Sequence, residues 1–259
     1  MPFCAKLFYR YYDRGAASYA YPTLYLHGLG DTHLSWPHTL RRLPGKRIYA
    51  LDLPGHGLSD TPACCSTHEL TDHLHRFITE LGIFSFALVG HSMGSAAAFD
   101  YAATYPEHIR GLALISCGHI FRFSEELMYS LKSEASRKNV IEFFNNKGFH
   151  PEFSQSLRRK ILEPLNCIRI SVLQADIKIC SSFSAYRSLN KFTFPVQLIA
   201  GRNDKLAPST DIQQLKYHLP NASLCTLDQC GHMAIFEKTE VIKKTLQAFL
   251  EKVTSPVYQ

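Results

Sequence analysis

No apolar run in the 259 residues approaches the 18 needed for a bilayer-spanning helix, so no membrane-crossing segment is expected. The opening residues, Met1 to Arg10, lack an apolar core followed by a small-residue cleavage site, so no secretory signal is expected either. Eight cysteines are present, but none form a Cys-x-x-Cys pair. That spacing excludes the usual structural zinc sites and favours reduced thiols in the cytoplasm over a disulfide framework. Thirteen histidines also fail to give a His-x-x-x-His pair with a third ligand nearby, so neither a metal nor an organic cofactor is expected. Internal repeats and low-complexity segments are missing, which excludes a solenoid. The formal charge of +6 permits an anionic partner but requires none, and no nucleic-acid or membrane partner is expected.

The chain does contain alternating strand and helix signals. Short apolar or alternating runs at Lys6–Tyr12, Pro22–Leu26, Arg47–Leu51, Phe86–Val89 and Gly111–Ile115 read as strands. Ser66-Thr-His-Glu69 has the spacing of a capping box and opens a helix to about Leu81. Between His119 and Asn190 the pattern changes. Helical segments such as Glu125–Phe144 and Ser154–Leu162 follow one another without strand signals, and this stretch carries a net +4. Strands resume at Phe194–Ala200 and Ala222–Leu227, and an amphipathic helix from about Thr239 to Val253 closes the chain. The expected architecture is α/β, with a mostly parallel sheet and helices on both faces. Residues 1–118 and 191–259 form its core, and 119–190 form an inserted helical lid over the strand ends.

The chemistry centres on Gly90-His-Ser-Met-Gly94, which lies between a strand and an alanine-rich helix. A Gly-x-Ser-x-Gly in that setting is a nucleophile elbow, a turn so tight that its neighbours must be nearly free of side chains. A serine hydroxyl needs a base to take its proton, and the base needs a partner that fixes its tautomer. Asp204 follows the strand ending at Ala200, and His232 follows the strand ending at Leu227. Nucleophile, acid and base therefore occur in the order Ser92, Asp204, His232, each beyond the carboxyl end of a strand. Asp228 is the rival acid, four residues before His232 on the same loop. His27, His56, His91 and Asp52 read as groups that order loops rather than carry protons, and Cys117, Cys225 and Cys230 as packed thiols.

These segments, with Leu26-His-Gly-Leu-Gly30 and Asp52-Leu-Pro-Gly-His-Gly-Leu-Ser59, resemble the α/β-hydrolase family along nearly the whole chain. The backbone N–H of Met93, just after the nucleophile, is expected to form half of an oxyanion hole. The resemblance implies the N–H of Leu29 as the other half. Serine at 92 sets the chain apart from the haloalkane dehalogenases and epoxide hydrolases of this fold, which use aspartate.

Substrate is read from the lid. Phe121, Phe123, Leu127, Met128, Tyr129, Leu131, Phe143, Phe144 and Phe149 are candidates for an acyl pocket or for packing onto the core. Arg122, Arg137-Lys138 and Arg158-Arg159-Lys160 are candidates for receiving a carboxylate or an acidic carrier, or for a solvated face. Small size and a basic lid are similar to the pimeloyl-acyl-carrier-protein methyl ester esterases of biotin synthesis. The implied activity is that of a serine carboxylesterase on a short or medium acyl ester, with acyl carrier protein as a candidate partner. Carbon–carbon hydrolases of the 2-hydroxy-6-oxo-dienoate type share Ser-Met-Gly but usually carry Asn where this chain has His91. Thioesterases and hydrolase-fold ligand receptors remain as further alternatives.

Overall fold

A computed structural model of the chain describes residues 2–123, 127, 131, 133–187 and 189–255. Met128, Tyr129 and the start of the helix expected from Glu125 lie outside the described residues. Eight strands form one sheet in the order β1-β2-β4-β3-β5-β6-β7-β8. They are β1 (Phe3–Cys4), β2 (Leu7–Asp13), β3 (Thr23–Leu26), β4 (Arg47–Leu51), β5 (Phe86–His91), β6 (Ile109–Ile115), β7 (Val196–Gly201) and β8 (Ala222–Leu227). β2 pairs antiparallel with β1 and β4, whereas all pairs from β4 through β8 are parallel. The central strands β3, β5 and β7 are buried at every residue, as expected where helices cover both faces of a parallel sheet.

Helices α1 (His38–Arg41), α2 (Thr67–Leu81) and α3 (Met93–Thr104) lie among the first strands, and α4 (Arg137–Lys147), α5 (Gln155–Leu162) and α6 (Ile170–Ser182) between β6 and β7. Helices α7 (Ser209–His218), α8 (Ala234–Glu237) and α9 (Thr239–Thr254) complete the chain. One apolar cluster joins Leu24, Leu26 and Leu88 to Leu74 and Phe77 of α2, Phe99 of α3 and Leu173 of α6. On the other face Tyr25, Ile48 and Val89 pack with Leu40 of α1 and Ile242, Leu246 and Leu250 of α9. Two separate layers on one sheet are what the alternating apolar faces of the strands produce.

Local signals explain the boundaries. Ser66 caps α2 by accepting from the Glu69 N–H at 3.2 Å, and Gly82 ends the helix at φ +70°. Glu69 reaches back one residue farther than a capping box predicts, to the Cys65 N–H at 2.8 Å. Between β6 and β7 the described residues hold helices and irregular backbone. There Leu127 is helical, and a 3-10 turn over Glu134–Ser136 leads into the α-helix Arg137–Lys147. The described helices include none long and apolar enough to cross a membrane.

Candidate active site

The C-terminal ends of β3, β5, β7 and β8 converge on one buried centre. Ser92 leaves β5 at φ +52° and ψ −120°, a left-sided backbone conformation that costs an L-residue free energy and that its neighbours must enforce. The two glycines around it explain how. A Cβ on Gly94 would collide with the carbonyl oxygens of Leu26 and His27, and one on Gly90 with the backbone of Gly94 and Ser95. The strand-to-helix turn therefore closes only with glycine at both places. Ser95 Oγ locks the first turn of α3 to β6 through the N–H and C=O of Ile115, each at 3.1 Å.

Ser92 Oγ–H donates to His232 Nε2 at 2.7 Å. His232 Nδ1–H donates to both Asp204 oxygens, at 2.9 Å and 3.0 Å. Asp204 Oδ1 also accepts from the N–H groups of Leu206 and Ala207, each at 2.8 Å, so the carboxylate has a fixed direction. Ser92, Asp204 and His232 are all buried, at 4%, 4% and 0% exposure. A buried carboxylate with this many donors holds the imidazole in the tautomer whose Nε2 can accept the serine proton. Asp228 plays no part in this chain of contacts. Its side chain is 75% exposed and pairs outward with Arg202.

Leu29 and Met93 lie at the ends of β3 and β5, and neither backbone N–H has an acceptor among the described residues. Two free N–H groups beside a hydroxyl that can be deprotonated are suited to stabilising an oxyanion. His91 sits behind the site, with its Nε2 3.2 Å from the His232 carbonyl oxygen. Burial, then the charge of His232, pushes its pKa down to about 3. His27 is pushed down to about 3 by burial and by His56. Both act as neutral hydrogen-bonding rings. Asp52 accepts from His33 N and Nδ1, at 2.7 Å and 2.8 Å, and from Leu58 N at 2.9 Å, which orders the loop after β4.

The basic residues expected to meet a substrate divide into three groups. Arg158 requires a correction. It is 5% exposed and donates to the carbonyls of Phe153 (3.1 Å), Asn145 (3.0 Å), His150 (2.6 Å) and Pro151 (2.7 Å). Its guanidinium ties the loop together through these four carbonyl oxygens, of which that of His150 also accepts from the Phe153 N–H, so it is not free to bind a carrier. Arg122 is bound in bidentate fashion to Asp211 of α7. Arg159 remains exposed, lining with Lys138, Asn145 and Lys160 a groove of about 690 Å³ between α4 and α5. Phe143 stacks on Phe123 at 5.7 Å beneath the Lys147 ammonium. Among the described residues between β6 and β7, the ring that lies against His232 is instead Phe121, at 6.3 Å.

Two acids that bridge separate loops escaped the reading of motifs. Glu237 of α8 accepts from the N–H of Gly231 (3.0 Å) and of His150 (2.8 Å), joining the His232 loop to the insertion. Asp176 of α6, 1% exposed, accepts from the Gly30 N–H and from His56. A lone acid among Val172, Leu173, Ala175, Ile177 and Ile179 was the visible signal for it.

The buried histidines predict how stability responds to acid. A base whose folded pKa is depressed stabilises the fold above its unfolded value of 6.5, and that stability disappears as pH falls toward the folded value near 3. His56 has a raised pKa and the opposite sign: its contribution is full below 6.5 and is lost as pH rises through the folded value. Below pH 6.5, His27 and His91 each lower stability as the pH falls. Asp31, pushed up to about 7 by burial, keeps its proton in the fold and opposes them between pH 7 and 3.8. That leaves a net fall of roughly 1 kcal/mol per pH unit. Urea unfolding at pH 7.5 and 4.5 measures this. Equal stability at both values would contradict a net loss carried by His27 and His91 against Asp31.

The family model described as the alpha/beta hydrolase fold matches residues 21–159, more than half of the chain. A 2-hydroxy-6-oxononadienedioate/2-hydroxy-6-oxononatrienedioate hydrolase of Burkholderia vietnamiensis is 27% identical, over 93% of this chain and 90% of that protein. A pimeloyl-[acyl-carrier protein] methyl ester esterase of Nitrosomonas europaea is 26% identical, over 80% and 86%. The enol-lactonase of Burkholderia xenovorans LB400 superposes with a TM-score of 0.85 at 18% identity, covering 95% of this chain and 96% of that one, a likeness of fold. With its sheet order, its strand-end site and this match, the chain belongs to the alpha/beta hydrolase fold family.

Proposed function

We propose that the protein is a serine carboxylic-ester hydrolase that works through an acyl-enzyme. The observation that carries this reading is the relay from Ser92 Oγ through His232 (2.7 Å) to Asp204 (2.9 Å). Ser92 Oγ forms a bond to the acyl carbon as its proton passes to His232 Nε2. The carbonyl oxygen takes the negative charge between the N–H groups of Leu29 and Met93. Collapse of the tetrahedral intermediate breaks the ester bond, and His232 gives its proton to the departing alcohol. Water then attacks the acyl-enzyme by the same route, releasing the acid and restoring Ser92. Asp204 remains ionised and stabilises the imidazolium at each step.

Residues 119–190 act as a lid over this centre in our reading. Phe121 against His232 and Glu237 between Gly231 and His150 support that placement. The substrate is a short or medium acyl ester, and the Nitrosomonas europaea relative makes a carrier-linked methyl ester the sharpest version. Lys138, Arg159 and Lys160 line the α4–α5 groove, together with Glu142 and Glu163, and are the basic side chains proposed to meet an acidic carrier. Buried thiols at Cys4, Cys64, Cys117, Cys180 and Cys230 support a cytoplasmic enzyme. The 27% identical relative favours a second reading, cleavage of a carbon–carbon bond in a 2-hydroxy-6-oxo-dienoate.

One comparison decides between them. Hydrolysis of a methyl ester on acyl carrier protein is measured against the free methyl ester and a 2-hydroxy-6-oxo-dienoate, at low and high salt. We expect kcat/KM about 10-fold higher for the carrier ester at low salt, an advantage that high salt removes. Equal rates on the two esters at every salt concentration would remove the carrier. Turnover of the dienoate with no ester hydrolysis would replace the reaction itself.

A further inference from the structure

The loop that holds the Leu29 N–H is held from both sides. It lies directly against Ser92, since a Cβ on Gly28 would sit 3.5 Å from the Ser92 Cβ. The Gly28 carbonyl accepts from His27 Nδ1–H at 2.8 Å and from the Asp31 N–H at 3.2 Å. Leu53 N–H donates to His27 Nε2 at 3.0 Å, which puts the His27 proton on Nδ1. In a trans peptide the C=O and N–H point in opposite directions, so fixing the Gly28 oxygen also aims the Leu29 N–H. On the other side of Leu29, the Gly30 N–H donates to Asp176 Oδ2 at 2.8 Å. The core therefore fixes one peptide beside Leu29, and the insertion fixes the other.

The geometry around Asp176 is specific. Gly30 has φ +67°, and a side chain there would collide with Leu165 and Leu173 of the insertion. Glycine lets α6 come close enough for its carboxylate to reach the Gly30 N–H. His56 Nε2 lies 2.9 Å from the same Oδ2, and His56 Nδ1 lies 2.9 Å from the Pro54 carbonyl oxygen. A carbonyl only accepts, so Nδ1 carries a proton. Burial pulls His56 down, but the charge and hydrogen bond of Asp176 outweigh it and leave the pKa raised. Asp176 Oδ2 is thus held between the Gly30 N–H and His56, which keeps the acceptor in place.

We propose that Asp176 is a positioning residue that ties the helical insertion to the oxyanion loop, so that the aim of the Leu29 N–H, set on one side by the core, is completed on the other only while the insertion is seated. This rests on the ester-hydrolase reading above, in which Leu29 supplies an oxyanion donor. A misaimed donor weakens the transition state more than the bound ester, so the loss falls in kcat.

The test uses the full chain with p-nitrophenyl butyrate as substrate and an alkyl trifluoromethyl ketone as the oxyanion-forming inhibitor. Asp176→Ala is expected to lower kcat by about 10- to 100-fold, to leave KM within about 3-fold, and to weaken the ketone by the same factor as kcat. Asp176→Asn, whose amide oxygen still accepts the Gly30 N–H, recovers most of both. His56→Leu keeps that bond but frees the carboxylate from its second partner. It gives the same split at about 3- to 10-fold and decides the matter if the alanine chain does not fold. Unchanged kcat and ketone affinity in folded variants, or a loss confined to KM, would overturn the proposal even if the melting temperature falls. Ester hydrolysis that survives Ser92→Ala would instead remove the reading on which it rests.

Discussion

Ser92→Ala loses ester hydrolysis by about 10⁵- to 10⁶-fold in kcat while the fold is retained. The hydroxyl has one partner, His232 Nε2, so its removal leaves no other protein group unpaired at the turn. Alanine at φ +52° bears the same backbone strain as serine, and Gly90 and Gly94 still close the turn. The melting temperature should therefore shift by no more than a few degrees. The loss should not be total. The N–H groups of Leu29 and Met93 remain, and such donors with binding alone sustain about 10³-fold catalysis over water. Steady-state hydrolysis of p-nitrophenyl butyrate, with labelling by a fluorophosphonate probe, gives both readouts. Activity within 10-fold of the parent chain, or labelling at an undiminished rate, would show that another group forms the acyl-enzyme.

Parts of this site were legible in the sequence because their causes are local. Gly90–Gly94 encodes a turn that glycine alone closes, and the strands before Asp204 and His232 are short apolar runs between turn residues. Arg158 was misleading for a non-local reason. In Arg158-Arg159-Lys160 it looks like part of a solvated basic face, but the carbonyls of Asn145, His150, Pro151 and Phe153 draw it inward. Helix α7 carries no comparable pattern, since its buried side chains are Asp211, Ile212 and Leu215. Its acid is explained by Arg122, which reaches it from the insertion. Asp176 and Gly30 are 146 residues apart, and nothing at either position names the other. Motifs record what a turn requires of its own residues, whereas the contacts that seat the insertion appear only once the chain is folded.

Asp204→Asn should cost about 10⁴-fold in kcat, with stability close to that of the parent chain. Asp204 Oδ1 accepts from the Leu206 and Ala207 N–H groups, and the amide oxygen of asparagine takes that place. The amide nitrogen must then face His232 Nδ1. It can only donate, so Nδ1 gives up its proton and the ring carries it on Nε2 instead. Nε2 then meets Ser92 Oγ as a donor and cannot take the serine proton. The loss is thus one of tautomer, and a thermal melt that barely moves beside a collapsed kcat is its signature. Asp228→Asn supplies the comparison, because that side chain faces solvent against Arg202 and should change kcat/KM by less than about 2-fold. If Asp228→Asn were the inactive variant and Asp204→Asn the active one, the acid of the relay would be misassigned. If both stayed active, His232 would not need a carboxylate to hold its tautomer.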